Sequence, residues 1–382
     1  MRSQAHIRLL GLAVLTAPAL ATAPAMAATL YSQTNLVSDL SGIAAHQDGN
    51  LINPWGLDFG HGGPIWISNN GTATTSVYTG TGASLFSVGV PGAPTGVAFN
   101  GTSGFQVAPG KKALFIFGSE DGTISAWNAP APGAPPGDAV LKSSSSAAVY
   151  KGLAIGTVPL GGLGEIPLLY AANFHSGQVD VYGSDFSKIG SFTDNTVPTG
   201  YAPFNVQNIG GQLYVTFAQQ DADQHDDVAG AGHGLIDVFS LDGTFVKRFA
   251  SNGALNSPWG LAMAPGTGFG EFSGDLLVGN FGDGTINAFR PDGSFAGTLL
   301  GKDGKPLTIE GLWGLKFGDG AVGTLNGPAD TLFFTAGIPD HAGGELEGHG
   351  LFGSISAVPE PRSWALLASG LTFLVMLRRR IG

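Results

Sequence analysis

The chain has no cysteine among its 382 residues, and charge is scarce, with Asp, Glu, Lys and Arg together making up 12%. The missing thiols exclude disulfides, thiol catalysis and Cys-based zinc sites. An exported protein without thiols cannot mispair them, so the absence suits life outside the cytoplasm. Basic groups are the scarcer sign, 17 against 28 acidic ones. Six of them (Arg2, Arg8, Arg362, Arg378, Arg379, Arg380) lie in two terminal segments whose one acid is Glu360. The middle therefore carries 11 basic against 27 acidic groups, a net charge of −16. A body this acidic does not neutralise phosphates, which argues against nucleic-acid binding.

What is plentiful is glycine and proline, 62 and 23 residues. With so few helix-favouring Lys, Glu and Arg, this composition points to short strands joined by tight turns. A hydrophobic content of 43% is enough to bury a sizeable core and excludes a disordered chain.

Each terminus has a character of its own. At the start, Arg2 and Arg8 precede an apolar stretch from Leu9 to Leu20, and Ala25-Met26-Ala27 supplies the small-x-small pattern before a cut at Ala28. This predicts a signal helix in residues 1–27 and export. At the other end, Val358-Pro359-Glu360-Pro361 precedes an apolar segment over 364–377 and the basic cluster 378–380. That segment is shorter than the ~20 residues that normally span a bilayer. The basic end would stay cytoplasmic and the body outside.

Motif, short apolar helix and basic end, in that order, resemble the PEP-CTERM sorting tail of Gram-negative bacteria. The resemblance implies a sorting tail over 358–382, transient insertion in the inner membrane and cutting near the motif by an exosortase-type processing enzyme. Release to the cell surface or an exopolysaccharide matrix would follow. The alternative is a plain C-terminal membrane anchor.

Between the ends, residues 28–357 repeat. "PWGLDFGHGGPIWISNNGTATTSVYTG" begins at Pro54, and "PWGLAMAPGTGFGEFSGDLLVGNFGDGTINAFRPDGSFAGTL" at Pro258. Six openings follow one template: Trp55-Gly56-Leu57, Thr95-Gly96-Val97, Lys151-Gly152-Leu153, Phe204-Asn205-Val206, Trp259-Gly260-Leu261 and Trp313-Gly314-Leu315. Each leads to an apolar second strand, from "IWISN" in the first copy to "LFFTA" in the last, and then to a third. Asn70-Gly71, Asp121-Gly122, Asp242-Gly243, Asp283-Gly284 and Asp292-Gly293 read as tight hairpin turns that need positive φ.

A four-strand repeat of this kind predicts an all-β, six-bladed β-propeller. A two-sheet sandwich or a β-helix suits the irregular spacing less well. The recurring glycine of the first strands is expected where strands converge on an axis. The sixth copy lacks an outer strand, and the stretch from Thr29 to Asp39 is expected to supply it and close the ring. The body resembles NHL-like six-bladed propellers. Together with the tail, the Pro-Trp-Gly openings resemble an uncharacterised exported, PEP-CTERM-associated family.

Candidate site residues come from register. Asn69, Asn173 and Asn280 close second strands in alternate blades, and Asn53 and Asn256 stand just before first strands. Converging amides would bind sugar hydroxyls or coordinate Ca²⁺, or each Asn caps its own turn. Trp55, Trp259 and Trp313 occupy equivalent places and read either as a platform for a sugar ring or as blade-to-blade packing. Asp221, Asp223, Asp226 and Asp227 crowd one loop, which suits Ca²⁺ or is a solvated acidic loop. His225 and His233 are eight residues apart, as are His341 and His349, a spacing that reads as a Zn or Cu set or as simple loop repetition. Glu120, Asp58 and Lys316 are within reach of the channel, but no spacing marks them as an acid–base pair. There is no Gly-x-Ser-x-Gly elbow and no His-Glu-x-x-His. The sequence thus reads as a surface or matrix binding module for a glycan or protein rather than an enzyme, with Ca²⁺ the one cofactor in question. The rival reading is a hydrolase or lyase with Ca²⁺ or Zn²⁺ in the channel.

Overall fold

A computed structural model describes residues 28–161, 164–340 and 344–358. The signal segment 1–27 and the tail from Pro359 onward lie outside the described residues. Among the described residues there is no α-helix, only strands and two short 3₁₀ turns, and no helix long and apolar enough to cross a membrane.

The strands form six sheets around one axis, a six-bladed propeller, antiparallel except where His46–Gln47 and Leu300–Gly301 pair parallel to Leu30–Ser38 in blade six. Blade one runs Pro54–Asp58, Ile65–Asn69, Thr74–Tyr78 and Ser84–Gly89, each strand pairing with the next. Blades two to five repeat this meander, with first strands Pro94–Phe99, Tyr150–Pro159, Tyr201–Ile209 and Pro258–Met263. A small hairpin, Gln106–Ala108 with Lys111–Lys112, is inserted in blade two. Blade six takes Leu312–Phe317, Leu332–Ala336 and Leu351–Ala357 from the C-terminal side, and its outer strand, Leu30–Ser38, from the N-terminal side.

The ring therefore closes as the sequence suggests, with Tyr31 opposite Ala357 and Ser38 opposite Leu351. The closing strand is tied down along its length. Val358 donates its N–H to the Leu30 carbonyl at 2.8 Å. Thr29 N–H donates to Glu271 Oε1 at 2.8 Å, and the Tyr31 hydroxyl donates to the Phe269 carbonyl at 3.0 Å. Tyr31 also packs between Phe269 and Phe272.

The first strands approach so closely that a side chain has no room. A Cβ on Gly56 would lie 2.7 Å from the Thr95 carbonyl oxygen, and one on Gly96 2.7 Å from the Leu153 nitrogen. One on Gly260 would lie 2.6 Å from the Trp313 carbonyl oxygen. Blade four breaks the rule with Asn205, which reaches the neighbouring first strand of blade five to donate to the Trp259 carbonyl at 2.7 Å. Gly152 makes space for it, since a Cβ there would fall 1.9 Å from Asn205 Oδ1.

The hairpin glycines behave as their dipeptides predict at four of five sites, with φ of 77°, 83°, 70° and 91° at Gly122, Gly243, Gly284 and Gly293. The Asn70-Gly71 turn differs. Residues Asn70–Thr72 form a 3₁₀ turn, and Ala73 takes the left-handed conformation at φ 52°. Gly71 is small for another reason, because a Cβ there would meet Ile52 at 2.6 Å.

Gly260→Ala is expected to destabilise the ring by about 1–3 kcal/mol, since the Trp313 backbone cannot retreat. Gly190→Ala, on an outer strand with no atom within 4 Å of the new methyl, is expected to stay within about 0.5 kcal/mol of the parent. Urea unfolding of the two variants measures the difference.

Candidate functional site

At one end of the channel stand the first-strand residues just before the axial glycine, or before Asn205 in blade four: Trp55, Thr95, Lys151, Phe204, Trp259 and Trp313. Four of the six are aromatic and converge. Trp55 and Trp313 stack at 3.5 Å between ring centroids, Trp259 meets both edge-on, and Phe204 and Phe281 pack against Trp313. The three tryptophans are only 1–4% exposed. They form a plug that seals this end of the channel, and their faces are spent on one another rather than offered to solvent.

Below the plug, the glycine-lined channel leaves a cavity of about 40 Å³. At the far end is a wider recess of about 150 Å³, where Lys316 pairs with Asp58 at 2.7 Å.

Blades two and three break the aromatic plug. Thr95 is small and bonds to the Gly118 and Tyr150 carbonyls. Lys151 extends over the face of Trp55, its ammonium 4.8 Å from the ring centroid and 5.7 Å from that of Phe174. The ammonium bonds to Glu120 Oε1 and lies 3.2 Å from Asp226 Oδ1. Lys151 is 1% exposed. Burial pulls its pKa down, but Glu120 and Asp226 more than offset that and hold it above the ordinary value.

From this lysine a polar network spreads around the mouth. Glu120 Oε2 accepts from Asn70 Nδ2 at 2.6 Å. Asn53 Nδ2 donates to Glu347 Oε2 at 2.7 Å and reaches Asn70 Oδ1 at 3.4 Å, while Asn53 Oδ1 accepts from the Trp313 indole at 3.2 Å. Asp226 Oδ1 lies 3.1 Å from His225 Nδ1. Asn53 and Glu347, hydrogen-bonded partners, both sit in the left-handed region, at φ 46° and 71°. Such strain in non-glycine residues concentrates at functional sites.

Three carboxyls of the mouth are driven apart. Burial pushes Glu347 up to about 7, against the pull of Asn53 and with help from Glu120. Burial also pushes Asp227 up to about 6, against the Ser257 hydroxyl and Lys151. Asp226 feels burial too, but Lys151 and His225 bring it below the usual carboxylate range. Lys151 and Asn70 occupy both oxygens of Glu120.

The residues singled out from sequence divide. Asn53, Trp55, Trp313, His225, Asp226 and Asp227 come to the mouth, and Trp259 to the plug beneath it. Asn69 bonds Thr74 and Ser76, and Asn173 bonds Asp180, each within its own blade. Asn280 bonds the Ala254 carbonyl, Asp283 and Thr285, while Asn256 accepts from the Gly230 N–H and donates to Asp283. Asp221 braces its own loop by accepting from the His225 N–H, and Asp223 is exposed. His233 bonds the Val228 carbonyl. His349 pairs with Asp39 at 2.5 Å and so serves ring closure. His341 lies outside the described residues. Of the sorting motif, only Val358 lies within them.

Lys151, Glu347 and Asn70, the last read only as a turn residue, are the members of the mouth that sequence reasoning passed over. Lys151 carried a readable signal, a charged residue where three of the six openings have tryptophan. Glu347 carried none, because only the loop's path brings it to Asn53.

Comparison with known proteins adds a family. The chain is 37% identical to the uncharacterized protein R648 of Acanthamoeba polyphaga mimivirus over 313 residues, covering 76% of this chain and 75% of the relative. Protein L690 of the same virus, also uncharacterized, is 35% identical over 315 residues, with 76% and 80% covered. The chain belongs to the R648 family. No family model matches it. Among solved structures, a structural genomics protein of unknown function from Bacteroides thetaiotaomicron superposes with a TM-score of 0.51 at 10% identity. That match spans 87% of this R648-family chain and 76% of the other. At such identity it shows the shared propeller fold and nothing about chemistry.

The two raised carboxyls make stability fall with pH. Their folded values, about 7 and about 6, lie above the ordinary 4.5 and 3.8. The folded state therefore binds these protons more tightly. The stabilisation is complete below about pH 4 and is lost as pH rises through about 6 and then about 7. Glu347→Gln is expected to remove on the order of 2–3 kcal/mol of that decline. Chemical denaturation from about pH 4 to about pH 8 would show a flatter curve for the variant.

Proposed function

We propose that this protein is an exported propeller that binds a ligand at the channel mouth and carries its address in the C-terminal tail. The observation that carries the binding reading is the network of Asn53, Asn70, Glu120, Lys151, Asp226 and Glu347, side chains from five different blades. A site assembled from five blades exists only in the closed ring, and an aromatic plug holds it rigid from below. Preorganised donors and acceptors over a rigid floor lose little entropy when a polar ligand docks. The supports for export are sequence features: the segment 1–27, the motif 358–361 and the apolar and basic stretches after it. On this reading an exosortase-type enzyme cuts near the motif and releases the propeller to the surface or matrix, where its ligand is a glycan or a partner protein.

One observation favours the metal-dependent hydrolase or lyase. Ligand atoms of Glu120, His225 and Asp226 lie within 4.8 Å of one another. Against it, the Lys151 ammonium already engages Glu120 Oε1 and Asp226 Oδ1. A divalent ion would have to displace a buried cation, so the binding reading is preferred.

In a Gram-negative host with the processing enzyme, the full chain is expected to lose its tail and leave the membrane. The Pro359→Ala, Glu360→Ala double variant should stay cell-associated and full-length on immunoblots, and normal processing of it would sink the sorting reading. Glu120→Gln is expected to weaken retention on the host exopolysaccharide about tenfold. A melting shift with Ca²⁺ or Zn²⁺ that His225→Ala abolishes would move the protein to the metal-dependent class.

A further inference from the structure

The chain leaves its own ring at a defined place. In the last strand, Leu351–Ala357, Leu351 is level with Ala336 and so with Leu312, next to the plug residue Trp313. Ile355 is level with Leu332 and so with Phe317, at the other end of the first strand. Ala357 pairs with Tyr31, where the closing strand begins. Thr29 and Val358 therefore both lie at the far end of the channel, opposite the mouth. In the sequence, five residues separate Val358 from Trp364, where the apolar stretch starts. Their reach is at most ~20 Å. A body of about 330 residues has a radius of gyration of about 20 Å, so a tail held in a bilayer cannot swing the opposite side onto it.

The surface is asymmetric in the same sense. Among the described residues, only three of the fifteen exposed large hydrophobics, Ile43, Val228 and Leu346, lie on the mouth side. The other twelve stand in far-end loops or next to them. Leu160, Met263, Val322 and Leu325 lie in or at the loops that follow first strands, and Val322 is fully uncovered. In each of blades one to five, one of the first two residues of the outer strand, just past a far-end turn, is an exposed hydrophobic. Leu85, Ile189, Phe245 and Phe295 are examples. Single exposed hydrophobics are ordinary, but their gathering at one end of a molecule marks an apolar contact. The mouth side instead presents the exposed carboxylates of Asp121, Asp223, Asp226 and Asp283, which a surface containing anionic lipid repels.

We propose that the far face is a lipid-contact surface. While the tail anchors the chain, the propeller rests on the bilayer by its far-end loops and holds the mouth outward, open to its ligand before the tail is cut. The inference deepens the sorting reading above and rests on it.

Because the chain has no cysteine, single introduced thiols can be labelled one at a time. The full-length chain with Pro359→Ala and Glu360→Ala, which is expected to stay uncut, is reconstituted into phosphatidylethanolamine–phosphatidylglycerol vesicles containing a doxyl-labelled quencher lipid. An environment-sensitive fluorophore is attached at Leu160→Cys, Val322→Cys or Asp223→Cys, all exposed positions. The expected result is a blue shift and loss of emission at positions 160 and 322, with emission at position 223 unchanged. Quenching at 223 in place of 160 and 322 would overturn the proposal. So would vesicle-bound protein with no quenching at any of the three, or disulfide-linked dimers through unlabelled Val322→Cys without quenching at 160, which would give the far face to a second copy. In each of these outcomes the chain still floats with the vesicles, so the anchoring reading survives. A chain that does not float with them defeats that reading and the lipid contact with it.

Discussion

Six first strands converge on one axis, and the space between them decides nearly everything else about this molecule. Where strands come this close, backbone meets backbone, and five of the six carry glycine at the point of contact. The asparagine of the remaining strand, in blade four, uses its amide to bond the neighbouring blade instead. One residue before the glycine, the strands are far enough apart for side chains to meet. There the large aromatics fill the opening and bury their faces against each other. The channel is thus narrow in the middle, sealed at one end and recessed at the other.

The polar mouth is a consequence of an incomplete seal. Four aromatic rings cannot fill six positions when the other two are Thr95 and Lys151. The lysine bends over Trp55 and is buried as a cation, which is costly unless it is paired. Glu120 and Asp226 supply the pairing, and each arrives from a loop at the end of a second strand. Their negative charge exceeds what one lysine neutralises. Burial then keeps Glu347 and Asp227 reluctant to ionise. One gap in the aromatic plug therefore organises the charge, the strain and the titration behaviour of the whole mouth.

Closure is the other constraint. A propeller that ended with its sixth C-terminal strand would leave an open edge, and Leu30–Ser38 covers it. His349, which pairs with Asp39, belongs to this closure and not to a metal centre. Asn69, Asn173 and Asn280 belong to their own blades for a comparable reason. An amide at the end of a second strand finds nearby hydroxyls, carboxylates and carbonyls before it can reach the axis.

The sequence by itself determined the ring: the number of blades, their second and third strands, the glycines at the axis and the strand that closes blade six. These are local or repeating properties, written once per blade in hydrophobic alternation, turn dipeptides and the Trp-Gly-Leu template. It also placed Trp55, Trp259 and Trp313 at equivalent positions without saying whether their faces would be open. Only the tertiary structure decided that they pack against one another, because that depends on how closely six strands approach. Likewise, only the closed ring brings Glu120, Lys151, Asp226 and Glu347 together from four blades. Charge networks of this kind have no period in sequence, since each member is drawn from a different loop and its partner is set by the curvature of the ring.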